Sequence, residues 1–322
     1  MDNAKKTHNF KEILQTYDAL ITLVVLVVVL SAVSSQFRQM NNFMKLLRQA
    51  SVNGLIAFGM TGVILTGGID LSVGSTLAVT SLSCAMMIKA GIDPILAMLA
   101  ALLMGILLGC VSGLLVTKGR LQPFIATLIT MTVYRGVTLI LSNGKPVSSL
   151  IASDDASFSA AAFKNFGKGM VLSIPVPVIT FLLCFAIFMF ILSKTVTGRR
   201  IYATGSNDKA AKLAGVNIDR SKLFVYAVSG FFASLAGLIV LSRLGSAQPT
   251  AGAGYELDAI AAVALGGTSM AGGRGKLYGT LIGILIIAVL NNGLNILNVN
   301  PYFQEVVKGL VILLAVLSDR KR

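Results

Sequence analysis

Histidine occurs once in these 322 residues, as His8, and tryptophan does not occur. A single imidazole in a polar N-terminal stretch excludes a histidine-built metal or catalytic site. Without tryptophan, anchoring at a lipid–water interface falls to Tyr, Phe, Lys and Arg. Cysteine is scarce too: Cys84, Cys110 and Cys184 each stand alone in an apolar run, an odd number without paired spacing. They read as small apolar residues rather than as a disulfide framework or a metal site. Charge is the largest deficit, at 12% of residues, and acids are outnumbered by 27 Lys and Arg to 13 Asp and Glu. A basic excess can mark a nucleic-acid binder, but these residues fall in short stretches between apolar runs, not on one stripe.

What is present is apolar sequence, 55% of the chain, with a mean hydropathy of +0.82. That composition predicts an all-α integral membrane protein, since a span needs about 20 mostly apolar residues. Suitable stretches centre near residues 25, 58, 80, 105, 132, 184, 232, 262, 288 and 311, which predicts about ten transmembrane helices. Glycines leave the cuts within 55–88 and 257–297 open. The first span, from Leu20 to Val33, follows Lys5, Lys6 and Lys11 like a secretory signal; the further spans favour a retained signal anchor. With the N-terminus inside, Lys118, Arg120, Arg199, Arg200, Lys209, Lys212 and Arg274 also fall inside, as the positive-inside rule requires. Both termini are expected to be cytoplasmic. The chain is expected to be a single transmembrane domain over 1–322, with a cytoplasmic tail at 1–19, an extracytoplasmic loop at 142–176 and a basic cytoplasmic loop at 193–222.

Glycines interrupt two apolar runs, at "VILTGGIDLSVGS" (63–75) and "AVALGGTSMAGGRGKLYG" (262–279). Such paired breaks point to a transport pathway. Both copies follow spans of the same direction, however, which an inverted repeat does not allow. In the first break, Gly67 and Gly68 let one helix stop, and Asp70 or Ser72 caps the next. The freed amides and carboxylate offer hydrogen bonds to a polar solute; an ordinary capped turn at the membrane surface is the other reading. Asn53, Asn291, Asn292 and Asn295 interrupt apolar spans. Either they join helices through hydrogen bonds or they line a sugar-wide path. Arg135 is the one charge deep in a predicted span, facing either the bundle interior or, by snorkelling, the outer interface.

Enzyme signatures fail on inspection. The Gly-Lys at 275–276 lacks a phosphate loop's first glycine, at Met270, and its Ser or Thr, at Leu277. Asp154 and Asp155 form a paired carboxylate in a Ser-rich loop, without flanking metal ligands. Intramembrane ionisable groups are too few for a proton relay. Energy for pumping would therefore come from a partner. In "GSNDKAAKLAGVN", Ser206 or Asn207 suits an N-cap, Asp208 the first turn and Gly215 the C′ position, predicting a helix of about seven residues. Ala210, Leu213 and Ala214 form a small apolar stripe on it. So short a helix must dock, on its own protein or on another.

"TGGIDLSVGS" (66–75), "GSNDKAAKLAGVNI" (205–218), "SAQPTAGAGYELDAIAAVALGGTSMAGGRG" (246–275) and "LNNGLNIL" (290–297) resemble the membrane-spanning permease subunit of bacterial ribose ABC importers, a group shared with xylose and autoinducer permeases. The resemblance runs from about Leu46 to the C-terminus. It implies a non-enzymatic, multi-pass subunit of the bacterial cytoplasmic membrane that needs no cofactor. It also implies a second permease copy, a cytoplasmic ATPase and an extracytoplasmic sugar-binding protein as partners. Translocation residues would be Asn53, Gly67, Gly68, Asp70, Ser72, Asn291, Asn292 and Asn295. Coupling to the ATPase would fall to Asn207, Ala210, Ala211, Leu213, Ala214 and Gly215. A stand-alone secondary sugar transporter and a membrane-embedded enzyme are the alternatives.

Overall fold

A computed structural model describes the backbone of residues 2–148, 150 and 157–319, with side chains from Asp18 onward except those of 314–316 and 318–319. Asp154 and Asp155 lie outside the described residues. The described chain is predominantly helical. In order, the helices are α1 (Asp2–Val33), α2 (Met40–Leu65), α3 (Val73–Lys89), α4 (Pro94–Thr117), α5 (Pro123–Ser142), α6 (Phe158–Lys168), α7 (Val176–Lys194), α8 (Val196–Ser206), α9 (Asp208–Leu213), α10 (Ile218–Leu244), α11 (Tyr255–Leu265), α12 (Leu277–Ile296) and α13 (Pro301–Asp319). Each span centre expected from the sequence falls inside one of these helices. Among the described residues, α4, α5, α7, α10 and α12 are long and apolar enough to cross a membrane. Four two-residue strands, which composition did not predict, pair as β1 (Val147–Ser148) with β4 (Ser246–Ala247) and β2 (Met170–Val171) with β3 (Ile174–Pro175).

α2 is the hub. From Ala50 to Leu65 every one of its residues is buried, as expected of a helix apolar on all sides. Phe58 stacks on Phe181 of α7 with ring centroids 4.9 Å apart and meets Phe232 of α10 edge-on. α4 approaches α10 through Gly105, Gly109 and Gly113. A methyl group on Gly113 would lie 3.1 Å from Tyr226 Cβ, and one on Gly230 would strike the Gly105 carbonyl. Glycines every fourth residue bring the backbones close enough for dispersion contacts to hold the pair where lipid offers no hydrophobic drive.

The order of these helix contacts along the chain reveals a repeat. α2 and α10 run antiparallel, with Phe58 near Phe232, Gly59 against Ser229 and Gly62 against Val225. α3 lies parallel to α10 and α4 antiparallel to it. Likewise, α11 lies parallel to α2 and α12 antiparallel to it. Thus α2–α3–α4 and α10–α11–α12 are related as inverted copies. The glycine pairs compared in the sequence belong to α2 and α11, which do run in the same direction. The inverted repeat lies elsewhere, in segments that share shape and little sequence.

Candidate functional site

The first interruption is built by a local chain reversal. Gly67 adopts φ +77°, and its N–H donates to the Ile64 carbonyl while that of Gly68 reaches the Val63 carbonyl. This pair of bonds satisfies the last carbonyls of α2 and ends the helix. The chain then runs without regular structure through residues 66–72 before α3 begins. Asp70, 1% exposed, accepts the Ser72 N–H at 3.0 Å and the Ser72 hydroxyl at 2.6 Å on Oδ1, and the Ser229 hydroxyl at 2.7 Å on Oδ2. The Ile69 carbonyl accepts from Thr127 Oγ1 at 3.1 Å. A hydroxyl chain continues from Ser72 through Ser112 on α4 to Thr130 on α5. Ser72 occupies the N-cap position of α3, but its side chain caps no backbone N–H; Asp70 supplies the acceptor. The break thus begins at an exposed turn, Gly67, and ends in a buried polar junction at Asp70 and Ser72, whose carboxylate is occupied by its own protein.

The second interruption follows α10 and enters from the opposite end of the bundle. Gly245, at φ +68°, ends α10; residues 245–254 then turn back inward, and α11 starts within the protein. A methyl group on Gly252 would lie 2.7 Å from the Gly74 carbonyl, so the starts of α3 and α11 cross in backbone contact. Arg135 holds the inbound segment. Its Nη1 donates to the carbonyls of Pro249 at 2.8 Å and Ala251 at 2.9 Å. It thus faces the interior, satisfying carbonyls that have no helical partner. At α11's first turns, the buried Asp258 accepts from Asn53 at 3.3 Å and Asn291 at 3.4 Å, and pairs with Lys308 of α13 at 3.5 Å. Asp70 and Asp258 are counterparts. Each carboxylate sits at the start of a half-helix and ties it to the neighbouring long helix of the other repeat, where the helix dipole also favours negative charge.

The asparagines divide by environment. Asn53 and Asn291 join the Asp258 cluster. Asn292 exchanges two 2.9 Å bonds with Asn42, clasping α12 to α2. Asn295, one turn beyond Asn291, is exposed and accepts from Gln304 at 3.0 Å; the shared helical face passes from the interior to the surface within that turn. Ser229, Asn42, Asp258 and Lys308 were not singled out from the sequence. Asp258 and Lys308 carried a usable signal, being ionisable residues inside apolar runs. Ser229 and Asn42 did not.

At the end of the bundle opposite α6, α9 is a separate six-residue helix. Asn207 Oδ1 accepts the Ala210 N–H at 3.0 Å, and Gly215 at φ +81° closes the helix, with bonds from Gly215 to Lys212 and from Val216 to Ala211. Ala211 is buried against its own protein, whereas Ala210 and Ala214 are exposed and Leu213 is 91% exposed. The face at 210, 213 and 214 is thus left without an intramolecular partner among the described residues. α8, preceding it, was not predicted as a helix because its Thr-Gly-Arg-Arg run lacks apolar periodicity.

Comparison with known proteins follows the same lines. A family model for the permease component of branched-chain amino acid transport systems matches residues 42–316. The ribose import permease protein RbsC of Bacillus subtilis is 51% identical over 322 residues, covering 100% of this chain and 98% of that one. RbsC of Escherichia coli K12 is 50% identical over 304 residues, covering 94% and 93%. The D-allose transport system permease protein AlsC of the same organism is 41% identical over 318 residues, covering 98% and 95%. Among solved structures, a metal-chelate type ABC transporter in an inward-facing conformation aligns with a TM-score of 0.52 at 15% identity, covering 96% of this chain and 99% of that chain. At that identity the likeness concerns the fold alone.

Proposed function

We propose that this chain, which belongs to the family of permease components of branched-chain amino acid transport systems, is the transmembrane subunit of an ATP-driven importer for ribose or a closely related sugar. The observation that carries the sugar class is the 51% identity to a ribose import permease along the whole chain. About ten spans with both termini in the cytoplasm would put α8 and α9 inside the cell and α6 outside. Two permease copies would form the path between them, served by a cytoplasmic ATPase and an extracytoplasmic sugar-binding protein. Localisation would be the bacterial inner membrane. α6 packs on α10 through Ser242, whose hydroxyl accepts the Gly167 N–H at 2.8 Å and donates to the Phe163 carbonyl. Its exposed Phe158 and Lys168 give the 142–176 loop a shaped surface for the sugar carrier.

The two interrupted segments suit alternating access. Half-helices begin inside the protein, and the irregular backbone leading into them is satisfied in part by Arg135 and Thr127. In this reading Asn53, Asp70, Ser72 and Asn291 border the path as tethers of the half-helices, and Gly67 and Gly68 set where α2 ends. Asn292 and Asn295 extend the polar line along α12.

The reading is tested by uptake of radiolabelled ribose into proteoliposomes containing the permease, its ATPase and the sugar-binding protein. ATP-dependent uptake insensitive to ionophores is expected. Uptake without ATP that collapses with an ion gradient would instead identify a secondary transporter. Turnover of a lipid by the purified chain would identify an enzyme. Asp70→Ala is expected to cut that uptake severely. It leaves the Ser229 hydroxyl without its buried acceptor, at a cost of about 1–3 kcal/mol, and frees the start of α3 from α10. Unchanged uptake and unchanged thermal stability of this variant would show that the tether is dispensable.

A further inference from the structure

Where α8 ends, three backbone segments meet at close range, with only the small side chain of Ser206 at their edge. A methyl group on Gly205 would collide with the Leu65 carbonyl and lie 2.5 Å from the Gly273 nitrogen. The Gly273 N–H donates to that same Leu65 carbonyl at 3.0 Å. A methyl group on Gly273 would sit 2.5 Å from the Ser206 nitrogen, and one on Gly272 2.8 Å from the Gly67 nitrogen. Two side-chain bonds reinforce the meeting: Ser206 Oγ to the Gly273 carbonyl at 3.4 Å and Tyr202 Oη to the Gly275 carbonyl at 2.9 Å. The end of α2, the link between α11 and α12, and the last turn of α8 are therefore one contact.

The next residue after Ser206 is Asn207, the N-cap of α9. No loop separates α9 from the junction. A displacement arriving at α9 reaches Ser206 and Gly205 directly. Side chains can absorb a shift by changing rotamer, whereas backbone packed on backbone must move or break. The junction thus touches the first interruption, at the end of α2, and the link that follows half-helix α11. A single push would therefore reach the α2–α3 break and the α11–α12 link together.

We infer that Gly205, Gly272 and Gly273 form a transmission joint that passes movement of α9 to the α2–α3 break and to the end of half-helix α11, with Gly205 as the positioning residue and Tyr202 as its brace. This rests on the reading of α9 as the ATPase contact. The measurement is the number of ribose molecules imported per ATP hydrolysed in the reconstituted complex, together with retention of the ATPase on the permease. Gly205→Ala is expected to lower that ratio about tenfold, and Tyr202→Phe about fivefold, within the range of ordinary coupling free energies. The ATPase should stay bound in both. Gly113→Ala, which crowds α4 against α10 away from the joint, should change uptake and hydrolysis together and leave the ratio intact.

A normal ratio in Gly205→Ala would overturn the joint. If Gly205→Ala fails to assemble, the Tyr202→Phe ratio decides: a fall supports the joint and a normal value overturns it. Absence of ATP-dependent uptake in the unmodified complex would overturn the importer reading and the joint with it. A competent parent with unchanged ratios overturns the joint alone.

Discussion

Leu213→Asp is expected to abolish ATP-driven sugar uptake while the permease still inserts into the membrane. The side chain is 91% exposed, so within the chain the exchange disturbs almost nothing. Asn207 and the Gly215 reversal continue to define the helix from both ends. The cost arises only on docking. An unpaired carboxylate buried in a groove costs about 3–5 kcal/mol, which lowers affinity by about two to four orders of magnitude. Loss of ATPase co-purification would show this directly. A cysteine at Ala210, introduced after removal of Cys84, Cys110 and Cys184, should crosslink to the ATPase. Normal uptake by Leu213→Asp, with crosslinks confined to the permease itself, would place the entry of energy elsewhere.

Lys308→Met should destabilise the protein more than most single changes in α13. Asp258 is buried, with a side chain 6% exposed, and Lys308 is its only cationic partner among the described residues. Asn53 and Asn291 offer amide hydrogens but no charge. Removing the ammonium strands a carboxylate inside the bundle, at a cost of about 3–5 kcal/mol. Replacing both members, as Asp258→Asn with Lys308→Met, should recover most of the loss, because a neutral amide can be satisfied by its asparagine neighbours. Thermal unfolding in detergent reads the comparison. Equal melting of the parent and Lys308→Met would show that the ion pair contributes nothing, and a double variant as unstable as the single would locate the loss in packing.

Local chemistry was legible in the sequence where it depends on neighbours along the chain. α9 is the clearest instance, since Asn207, Asp208 and Gly215 act within one turn of the helix they bound. The stop at Gly67 was legible for the same reason. The surroundings of Asp70 were not, because its partner Ser229 lies on α10 and carries no pattern of its own. Arg135 was recognised as unusual, yet its target, the carbonyls of Pro249 and Ala251, exists only once residues 245–254 fold inward. The inverted repeat escaped because the matching parts are shapes. A long helix, an extended stretch and a half-helix recur, while the shared chemistry is a left-handed glycine, Gly67 in one copy and Gly245 in the other, and a buried carboxylate, Asp70 and Asp258, at different distances along the chain from it. Glycine similarity between 67 and 267 pointed instead to two helix ends that meet at α8.

The amide clasp between Asn42 and Asn292 limits how the machine can deform. Thr61 and Thr280 join the same two helices by a 2.9 Å hydroxyl contact, about 28 Å farther along α2 and about 18 Å along α12 at 1.5 Å per residue. Two pins that far apart suppress both sliding and scissoring, so α2 and α12 form a splint. Neither pin carries a charge, and neither loosens with acidity or salt. Whatever opens and closes this protein must therefore swing around that splint, with α11, tied to both of its members through Asp258, carried along with it.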